Sequence, residues 1–232
     1  ASPKALLLGV TPEIATMRWP AGTELTAVER CQDMIDGVWP GGELAIRAHA
    51  RLGDWRALPV PDESVHFVIG DGAYTTLAGS ESASPVTREI RRVLRRGAHF
   101  IHRHFVRPET PEAPSDVFSD LEAGCIGNFH VFKWRLAMAL HGNDEAGVRL
   151  ADVWVAWHER GIGTEELTER FGWPRETIAT IDAYRGVTAR YAFPTLAELR
   201  RHFAAEFVEL DCHLPSYELG QRCPLLLLSA RT

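Results

Sequence analysis

The sequence predicts an α/β fold with a mostly parallel sheet, and three observations support this prediction. Short apolar runs alternate with helical segments over the first 106 residues. A long stretch that follows is mainly helical, and two further apolar runs close the chain. Strands that alternate with helices form right-handed βαβ units, which place the strands parallel to one another in one sheet.

The first part of the chain supplies three strands and two helices. Residues 5–8 are an unbroken apolar run stopped by Gly9, which is typical of a strand buried on both faces. Thr11 and Pro12 suit the start of a helix over residues 12–18. The pattern then predicts a strand at Glu24–Glu29, a helix at Gln32–Val38 and a weaker strand at residues 45–50.

The alternation continues to residue 106. Residues 64–69 form a strongly apolar strand. A helix over residues 86–94 follows, and Arg95-Arg96-Gly97 suits its end because cations and a left-handed glycine are common at helix C-termini. Residues 98–106 are then the fifth strand.

The pattern changes after residue 108, where helices follow one another without strands between them. They are predicted over residues 114–123, 129–140, 145–160, 164–171, 175–185 and 196–206. Residues 207–212 and 224–229 are two closing strands that pair as an antiparallel hairpin. The complete prediction is a mostly parallel seven-stranded sheet flanked by helices, with a helical insertion between strands 5 and 6.

Composition disfavours several classes of protein. The net charge of −6 disfavours nucleic-acid binding, which depends on clustered cations that release counterions. No apolar run approaches the ~20 residues that cross a bilayer, and the first residues lack the pattern of a signal peptide. The four cysteines are scattered without a C-x-x-C pair, which disfavours a metal site and a disulfide scaffold. We expect a cytoplasmic monomer or homodimer with no metal, no membrane contact and no nucleic-acid partner.

Glycines and polar residues follow four of the predicted strands. They are Gly9-Val10-Thr11-Pro12, Glu29, Gly53-Asp54-Trp55 and Gly70-Asp71-Gly72. In an open α/β sheet, ligands bind at these carboxyl ends of the strands. Glu29 lies 20 positions after Gly9, the spacing at which an acid binds a ribose diol, so the sequence indicates an adenosine ligand. The first loop lacks the G-x-G-x-x-G pattern that holds a pyrophosphate, which disfavours a dinucleotide.

The chain from residue 5 to residue 106 resembles the class I, Rossmann-like S-adenosylmethionine-dependent methyltransferases. The resemblance rests on the loop that begins at Gly9, Glu29 with Met34 behind it, Gly53-Asp54-Trp55 followed by Leu58-Pro59, residues 65–72 and residues 88–97. This family usually has an acid before a run of spaced glycines, where the present chain has Leu8 and the single Gly9. It also usually has a helical segment before the first strand, so we expect a leading segment that this sequence does not include.

The resemblance implies S-adenosyl-L-methionine as the cofactor and a role for each loop. Glu29 would bind the ribose hydroxyls and Asp54 the adenine amino group. Trp55 and Met34 would lie near the adenine ring. The complete implied set is Gly9, Val10, Thr11, Pro12, Glu29, Arg30, Met34, Gly53, Asp54, Trp55, Gly70, Asp71 and Gly72, with the glycine loops along the methionine. The cofactor-binding core would span residues 1–108, the substrate-covering insertion residues 109–206, and the closing strands residues 207–232.

The acceptor side offers histidines and cations. A hydroxyl acceptor is helped by a base that titrates near neutral pH, for which histidine is the usual choice. The candidates are His102 and His104, which share one face of the fifth strand, and His130 in the insertion. Lys133, Arg135, Arg185 and Arg190 are candidates for binding a carboxylate of the acceptor. For each of these residues, a purely structural role is the alternative.

Four functions remain open from the sequence. The favoured one is methylation of an oxygen or nitrogen atom of a small molecule. The second is a catalytically silent S-adenosylmethionine-binding or protein-interaction domain, because the first glycine motif is reduced. A nucleic-acid methyltransferase is disfavoured by the net acidity and by the lack of an Asn-Pro-Pro-Tyr-type motif. A nicotinamide oxidoreductase is disfavoured by the missing pyrophosphate loop.

Overall fold

A computed structural model describes residues 2–44, 46–78, 80–142 and 146–231 of the chain. Its strands are β1 (Lys4–Leu8), β2 (Glu24–Glu29), β3 (Arg47–Leu52), β4 (Val65–Asp71), β5 (Leu94–Arg103), β6 (Val148–Arg149), β7 (Arg190–Tyr191), β8 (Phe207–His213) and β9 (Leu225–Ala230). β6 and β7 form a separate two-stranded ribbon, and the others form one sheet in the order 3-2-1-4-5-9-8. The predicted seven-stranded sheet is therefore confirmed.

Six strands of this sheet point the same way. β1 to β5 are joined by parallel pairings, and β9 is antiparallel to both of its neighbours, β5 and β8. The predicted closing hairpin is thus confirmed. The strand order reverses between β1 and β4, and such a reversal leaves a crevice for a ligand at the carboxyl ends of the two strands.

The helices of the described residues lie between the strands and in one long insertion. They are α1 (Pro12–Ala15), α2 (Gln32–Val38), α3 (Ser80–Val93), α4 (Pro114–Glu122), α5 (Phe129–His141), α6 (Leu150–Arg160), α7 (Thr164–Phe171), α8 (Arg175–Ala179) and α9 (Leu196–Phe203). Short 3-10 turns occupy residues 41–43, 73–76, 180–184 and 220–222. No helix of the described residues is both long and apolar enough to cross a membrane.

Helices on both faces explain the unbroken apolar run of β1. Ala5 and Leu7 pack with Ala15 of α1 on one face of the sheet. Leu6 and Leu8 face the other way and join the core formed with α3 and α9. Strand side chains alternate between the two faces, so a strand covered on both sides has to be apolar at every position.

The insertion has its own hydrophobic core. Side chains of α4, α5, α6, α7 and α8 form a cluster separate from the two sheet clusters. α9 falls within the predicted range 109–206, but its Leu199 and Phe203 pack on the sheet. The helical cluster therefore takes no side chain from α9, and beyond Phe193 its buried residue is Leu219 in the loop between β8 and β9.

Two predicted helix ends differ from the structure. α1 ends at Ala15 and not at residue 18, because the Trp19 indole donates hydrogen bonds to the carbonyls of Ile14 and Ala15. α3 ends at Val93, one residue before the predicted end at residue 94, and it begins at Ser80 and not at residue 86. The amides of Glu63 and Ser64 donate hydrogen bonds to the carbonyls of Arg92 and Val93. The loop before β4 therefore supplies donors for the free carbonyls at the end of this helix.

The β5 region differs most from its prediction. β5 begins at Leu94, contains Gly97 at φ +71°, and ends at Arg103, whereas the prediction was residues 98–106. The register against β4 jumps from Val65↔Leu94 to Phe67↔His99, so the extra β5 residues form an irregularity in the ladder. A bulge of this kind is set by the neighbouring strand.

Smaller shifts occur at three other elements. β3 spans Arg47–Leu52 and not residues 45–50, because it pairs along the whole of β2, from Glu24↔Arg47 to Glu29↔Leu52. β4 runs on to Asp71, so only Gly72 of the predicted loop lies outside the strand. The predicted helix at 145–160 begins at Leu150, and its residue 145 lies outside the described residues.

Candidate functional site

Gly9, Glu29 and Trp55 come together at the carboxyl ends of β1 and β2. Gly9 has φ +87°, and a Cβ atom at this position would lie 3.7 Å from Glu29 Oε2 and 3.9 Å from Trp55 Cζ2. The Trp55 indole donates a 2.7 Å hydrogen bond to the carbonyl of Val28. Only glycine adopts this backbone conformation readily, so Gly9 keeps the space between the acid and the ring open.

The Glu29 carboxylate is oriented by the backbone around it. Its Oε1 atom accepts hydrogen bonds from the amides of Arg30 (2.8 Å) and Cys31 (3.0 Å). The Gly53 amide donates to the Glu29 carbonyl at 2.9 Å and ties the loop after β3 to the same point. Oε2 faces Gly9, where a ligand hydroxyl could approach.

Asp54 lies next to this group but is engaged by a neighbour. Its two carboxylate oxygens accept hydrogen bonds from the Arg56 guanidinium, at distances of 2.6 to 3.0 Å, and from the Arg56 amide at 2.8 Å. The Arg56 side chain and amide lower the pKa of Asp54 to about 2. Arg30 is exposed and contributes to the same lowering, which places it near Asp54. Met34 on α2 is 45% exposed.

The other residues of the first loop support α1. Val10 is buried and packs with the apolar residues of β1 and α1. Thr11 precedes α1 with its carbonyl bonded to the Ala15 amide, and Pro12 is the first residue of the helix. α1 has only four residues, so the loop after β1 is followed by a single turn of helix.

At the end of β4, Asp71 forms a two-pronged ion pair with Arg103 of β5. Arg103 Nε lies 2.7 Å from Asp71 Oδ1, and Nη2 lies 2.6 Å from Oδ2. Arg103 Nη1 also donates to the Tyr217 hydroxyl at 3.2 Å. Sequence reasoning did not identify Arg103 or Tyr217. The parallel pairing of the fourth and fifth strands was the available signal, because their register sets Asp71 opposite Arg103.

The two glycines beside Asp71 leave room for aromatic rings. A Cβ atom on Gly70 would lie 2.6 Å from His102 Cδ2. Gly72 has φ +65°, and a Cβ atom there would lie 2.7 Å from Phe105 Cε2. Gly72 begins the turn that carries the chain into residues 73–76. These glycines are therefore needed for packing between the ends of β4 and β5.

His102 and His104 lie together in the interior. They are 0% and 2% exposed, and their ring centroids are 4.1 Å apart. Tyr74, His202 and Phe203 surround them, and burial lowers the pKa of His102 to about 3 and that of His104 well below its usual value. A ligand could reach these rings only if the interior opened.

A buried polar chain lies beside these histidines. The Tyr74 hydroxyl is 2.7 Å from Thr87 Oγ1, which is 2.7 Å from His202 Nε2. Within the described part of the chain, no group of three His, Cys, Asp or Glu side chains could hold a metal ion. The hydrogen bonds among Tyr74, Thr87 and His202 fix α3 and α9 to the turn after β4.

The insertion contacts the carboxyl ends of β4 and β5 directly. The ring of Phe105 stacks on that of Trp134 in α5, with centroids 4.2 Å apart and planes at 10°. The Ala192 amide, just after β7, donates a 2.8 Å hydrogen bond to the carbonyl of Thr75. His130 is exposed one turn before Trp134 on α5. The insertion therefore lies beside the crevice that the sheet topology creates.

Comparison with known protein families matches residues 7–102 to the family model described as a methyltransferase domain. The match runs from β1 into β5, so it includes all the implied cofactor-binding residues. No curated protein matches the chain at a significant level.

Solved structures share the fold at low sequence identity. A SAM-dependent methyltransferase from Methanosarcina mazei is 15% identical, with 99% of this chain and 92% of that chain covered and a TM-score of 0.53. The CcbJ methyltransferase from Streptomyces caelestis is 14% identical, with 100% and 85% covered and a TM-score of 0.55. A Rhodobacter sphaeroides protein whose name assigns it to the zinc-dependent alcohol dehydrogenases is 11% identical, with 100% and 85% covered and a TM-score of 0.58. At these identities the likeness concerns the fold alone.

Proposed function

Because residues 7–102 of this chain match a methyltransferase domain, we propose that it is a class I, S-adenosylmethionine-dependent enzyme that methylates an oxygen or nitrogen atom of a small molecule. The observation that carries the proposal is the group formed by Gly9, Glu29 and Trp55 at the carboxyl ends of β1 and β2, next to the switch between β1 and β4. An acid, an open glycine and an aromatic ring at this place fit a ribose and an adenine. The geometry thus agrees with the cofactor that the family implies.

In this proposal, the residues of the chain bind the cofactor and orient the acceptor. S-adenosylmethionine, when bound, supplies an electrophilic methyl group on a sulfonium. Glu29 accepts hydrogen bonds from the ribose hydroxyls through Oε2, since Oε1 is held by two backbone amides. Trp55 borders the adenine, and its bond to Val28 fixes the ring. In-line transfer then depends on holding the acceptor in position and excluding water, and the insertion beside β4 and β5 serves this purpose.

Two observations support a small acceptor over a nucleic acid. The net charge is −6, so the electrostatic attraction that drives nucleic-acid binding is weak. The insertion also approaches the strand ends closely, through Phe105 and Trp134 and through the bond from Ala192 to Thr75. Helices placed beside a crevice in this way suit a ligand that is largely enclosed. We retain cytoplasmic location as a prediction from the scattered cysteines.

A catalytically silent domain is the second candidate, and the state of Asp54 favours it. Both Asp54 oxygens are engaged by Arg56, so the carboxylate has to release this partner before it can bind an adenine amino group. Cofactor binding without methylation of any acceptor in a broad panel of small hydroxyl and amine compounds would favour this candidate. Methylation of any of them would exclude it.

Calorimetric titration with S-adenosylmethionine and S-adenosylhomocysteine tests the proposed cofactor site. We expect Glu29→Ala to weaken binding by at least about tenfold, because a charge-assisted pair of hydrogen bonds to the ribose is lost. Glu24→Ala is the matched control. Glu24 starts the same strand but forms exposed ion pairs with Lys4 and Arg47, so its loss should leave the affinity unchanged. A folded wild-type chain that binds neither compound would refute the proposal.

A further inference from the structure

We propose that Lys133 binds a carboxylate group of the methyl acceptor, so that the acceptor is a small carboxylic acid. This inference rests on the proposed function and names the chemical class of its acceptor. It starts from an uncommon residue. The chain has two lysines, Lys4 and Lys133, against 23 arginines, and Lys133 is 8% exposed in the middle of α5.

The ammonium group of Lys133 has few partners. Its Nζ atom donates a 2.9 Å hydrogen bond to Thr180 Oγ1 and lies 5.3 Å from the centre of the Tyr184 ring. The Thr180 hydroxyl in turn donates to the Thr177 carbonyl. An ammonium has three N–H donors, so two of them have no protein acceptor within the part of the chain that the structure describes.

No carboxylate of the described residues lies within ion-pair distance of Lys133, whereas each of the other three candidate cations has a different partner. Arg135 pairs with Glu112 and Asp120. Arg190 donates to the carbonyl of Gly147, and the Arg185 guanidinium lies 5.3 Å from the centre of the Trp154 ring. Burial without an anion lowers the pKa of Lys133. A buried cation costs free energy unless it is paired, and a ligand carboxylate would supply the missing partner.

The surroundings of Lys133 connect it to the proposed methyl-transfer site. Its neighbour Trp134 stacks on Phe105 at the end of β5, and Tyr191 lies on Trp134 with centroids 5.9 Å apart and planes at 12°. Tyr191 also contacts Tyr184, the ring beside the Lys133 ammonium. The lysine and the ends of the strands therefore belong to one continuous set of contacts.

His130 is the exposed residue one turn before Lys133 on α5. The two residues are three apart on α5 and so lie on the same side of the helix. His130 is exposed, and its pKa is lowered by partial burial and by the charge of Lys133. An acid that entered beside His130 would reach the ammonium group, and the rest of the molecule would extend toward Trp134 and the end of β5.

Lysine-selective 13C labelling tests this site on the unmodified protein, since two lysines give two ε-carbon resonances. The wild-type chain is titrated with acetate, benzoate and phenylacetate, and with benzamide as a neutral match for benzoate. We expect a saturable shift of the Lys133 resonance and a rise of its pKa with at least one acid, and no response to benzamide. Lys4 is exposed and serves as the internal control, because its resonance should not respond in a saturable way.

The variant Lys133→Met gives the second measurement. Met fills a similar volume without charge, so we expect equal or higher thermal stability together with at least about tenfold weaker carboxylate binding by calorimetry. Equal affinity in Lys133→Met and wild type, or a Lys133 resonance that no acid shifts at low-millimolar concentration, would overturn the inference. S-adenosylhomocysteine binding by the same samples would leave the proposed function standing in that case. Carboxylate binding at Lys133 in a chain that binds no S-adenosylhomocysteine would support the anion site and overturn the methyltransferase proposal.

Discussion

His102 and His104 are buried side chains that remain neutral at physiological pH. Both ring nitrogens of His102 and the Nε2 atom of His104 have no hydrogen-bond partner among the described residues. Burial lowers the pKa of each, to about 3 for His102, because a charged imidazole is poorly solvated there. Such residues link the stability of the fold to pH, whatever their role in chemistry.

The chain should lose stability in mild acid. An unfolded histidine binds a proton below a pKa of about 6.5, whereas folded His102 stays neutral down to about pH 3. The unfolded state therefore gains protons first, and the free energy of unfolding falls as pH drops from 6.5 toward 3, by about 1.4 kcal/mol per pH unit for each such histidine. Urea unfolding at pH 7, 6, 5 and 4 measures this slope.

Replacement of His102 isolates its share of that slope. In His102→Leu the pH dependence should flatten by about 1 kcal/mol per unit between pH 6 and 4, because one titrating group is removed. His213→Leu is the control, since His213 is exposed and its loss should leave the slope unchanged. An identical slope in all three proteins would contradict the assignment.

At the scale of elements, α9 has the strongest local start signal in the insertion and closing region. Thr195 Oγ1 accepts a hydrogen bond from the Glu198 amide, and Glu198 Oε2 accepts one from the Thr195 amide. Arg107, just beyond β5, adds an ion pair to Glu198 and holds the helix against the sheet. A reciprocal cap of this kind satisfies two amides that a helix N-terminus otherwise leaves free.

Loss of this cap should destabilise the chain. We expect Thr195→Ala to reduce the free energy of unfolding by about 1 kcal/mol, because the Glu198 amide loses its acceptor. Thr164→Ala is the matched control. Thr164 is the first residue of α7, whose N-cap is Gly163, so its substitution should change stability by less than about 0.5 kcal/mol. Chemical denaturation measures both variants, and equal losses would rule out a specific role for the cap.

For the whole molecule, the important feature is how the core of the insertion is joined to the core of the sheet. The insertion packs around its own cluster, and the sheet packs around two others. Phe105 is partly buried against the insertion cluster and follows directly from β5. The stack of Phe105 on Trp134 is therefore a main contact by which the insertion is held to the strand ends.

Removal of that stack should loosen the insertion more than the sheet. In Trp134→Ala we expect faster amide hydrogen exchange in α5 and β7, little change in β1 and β4, and about 2 kcal/mol lower stability. Trp154→Ala is the control, because Trp154 stacks on His158 within the insertion. Its exchange change should stay local to α6. If amide exchange became equally faster in the sheet and in the insertion of Trp134→Ala, this would contradict the view that the stack stabilises the insertion more than the sheet.

The sequence by itself determined the order along the chain of the seven sheet strands and the residues at their ends, but it did not predict the β6–β7 ribbon. Local signals suffice for this, because an apolar run such as residues 5–8 is buried on both faces wherever it lies. They also predicted that Gly9, Glu29 and Trp55 follow neighbouring strands, and the structure brings these three together. Their role in cofactor binding stays a prediction for the titration described above.

Only the tertiary structure decided the remaining features, because each depends on residues far apart in the chain. The last carbonyls of α3 are bonded by the amides of Glu63 and Ser64, so the helix stops before the Arg95-Arg96-Gly97 end signal of the sequence. Asp71 meets Arg103 through strand pairing, and His104 is covered by Phe203 of α9. Lys133 stood among four similar cations in the sequence. Its burial, with no carboxylate of the described residues paired to it, results from packing between α5 and residues 180–184, which no local pattern encodes.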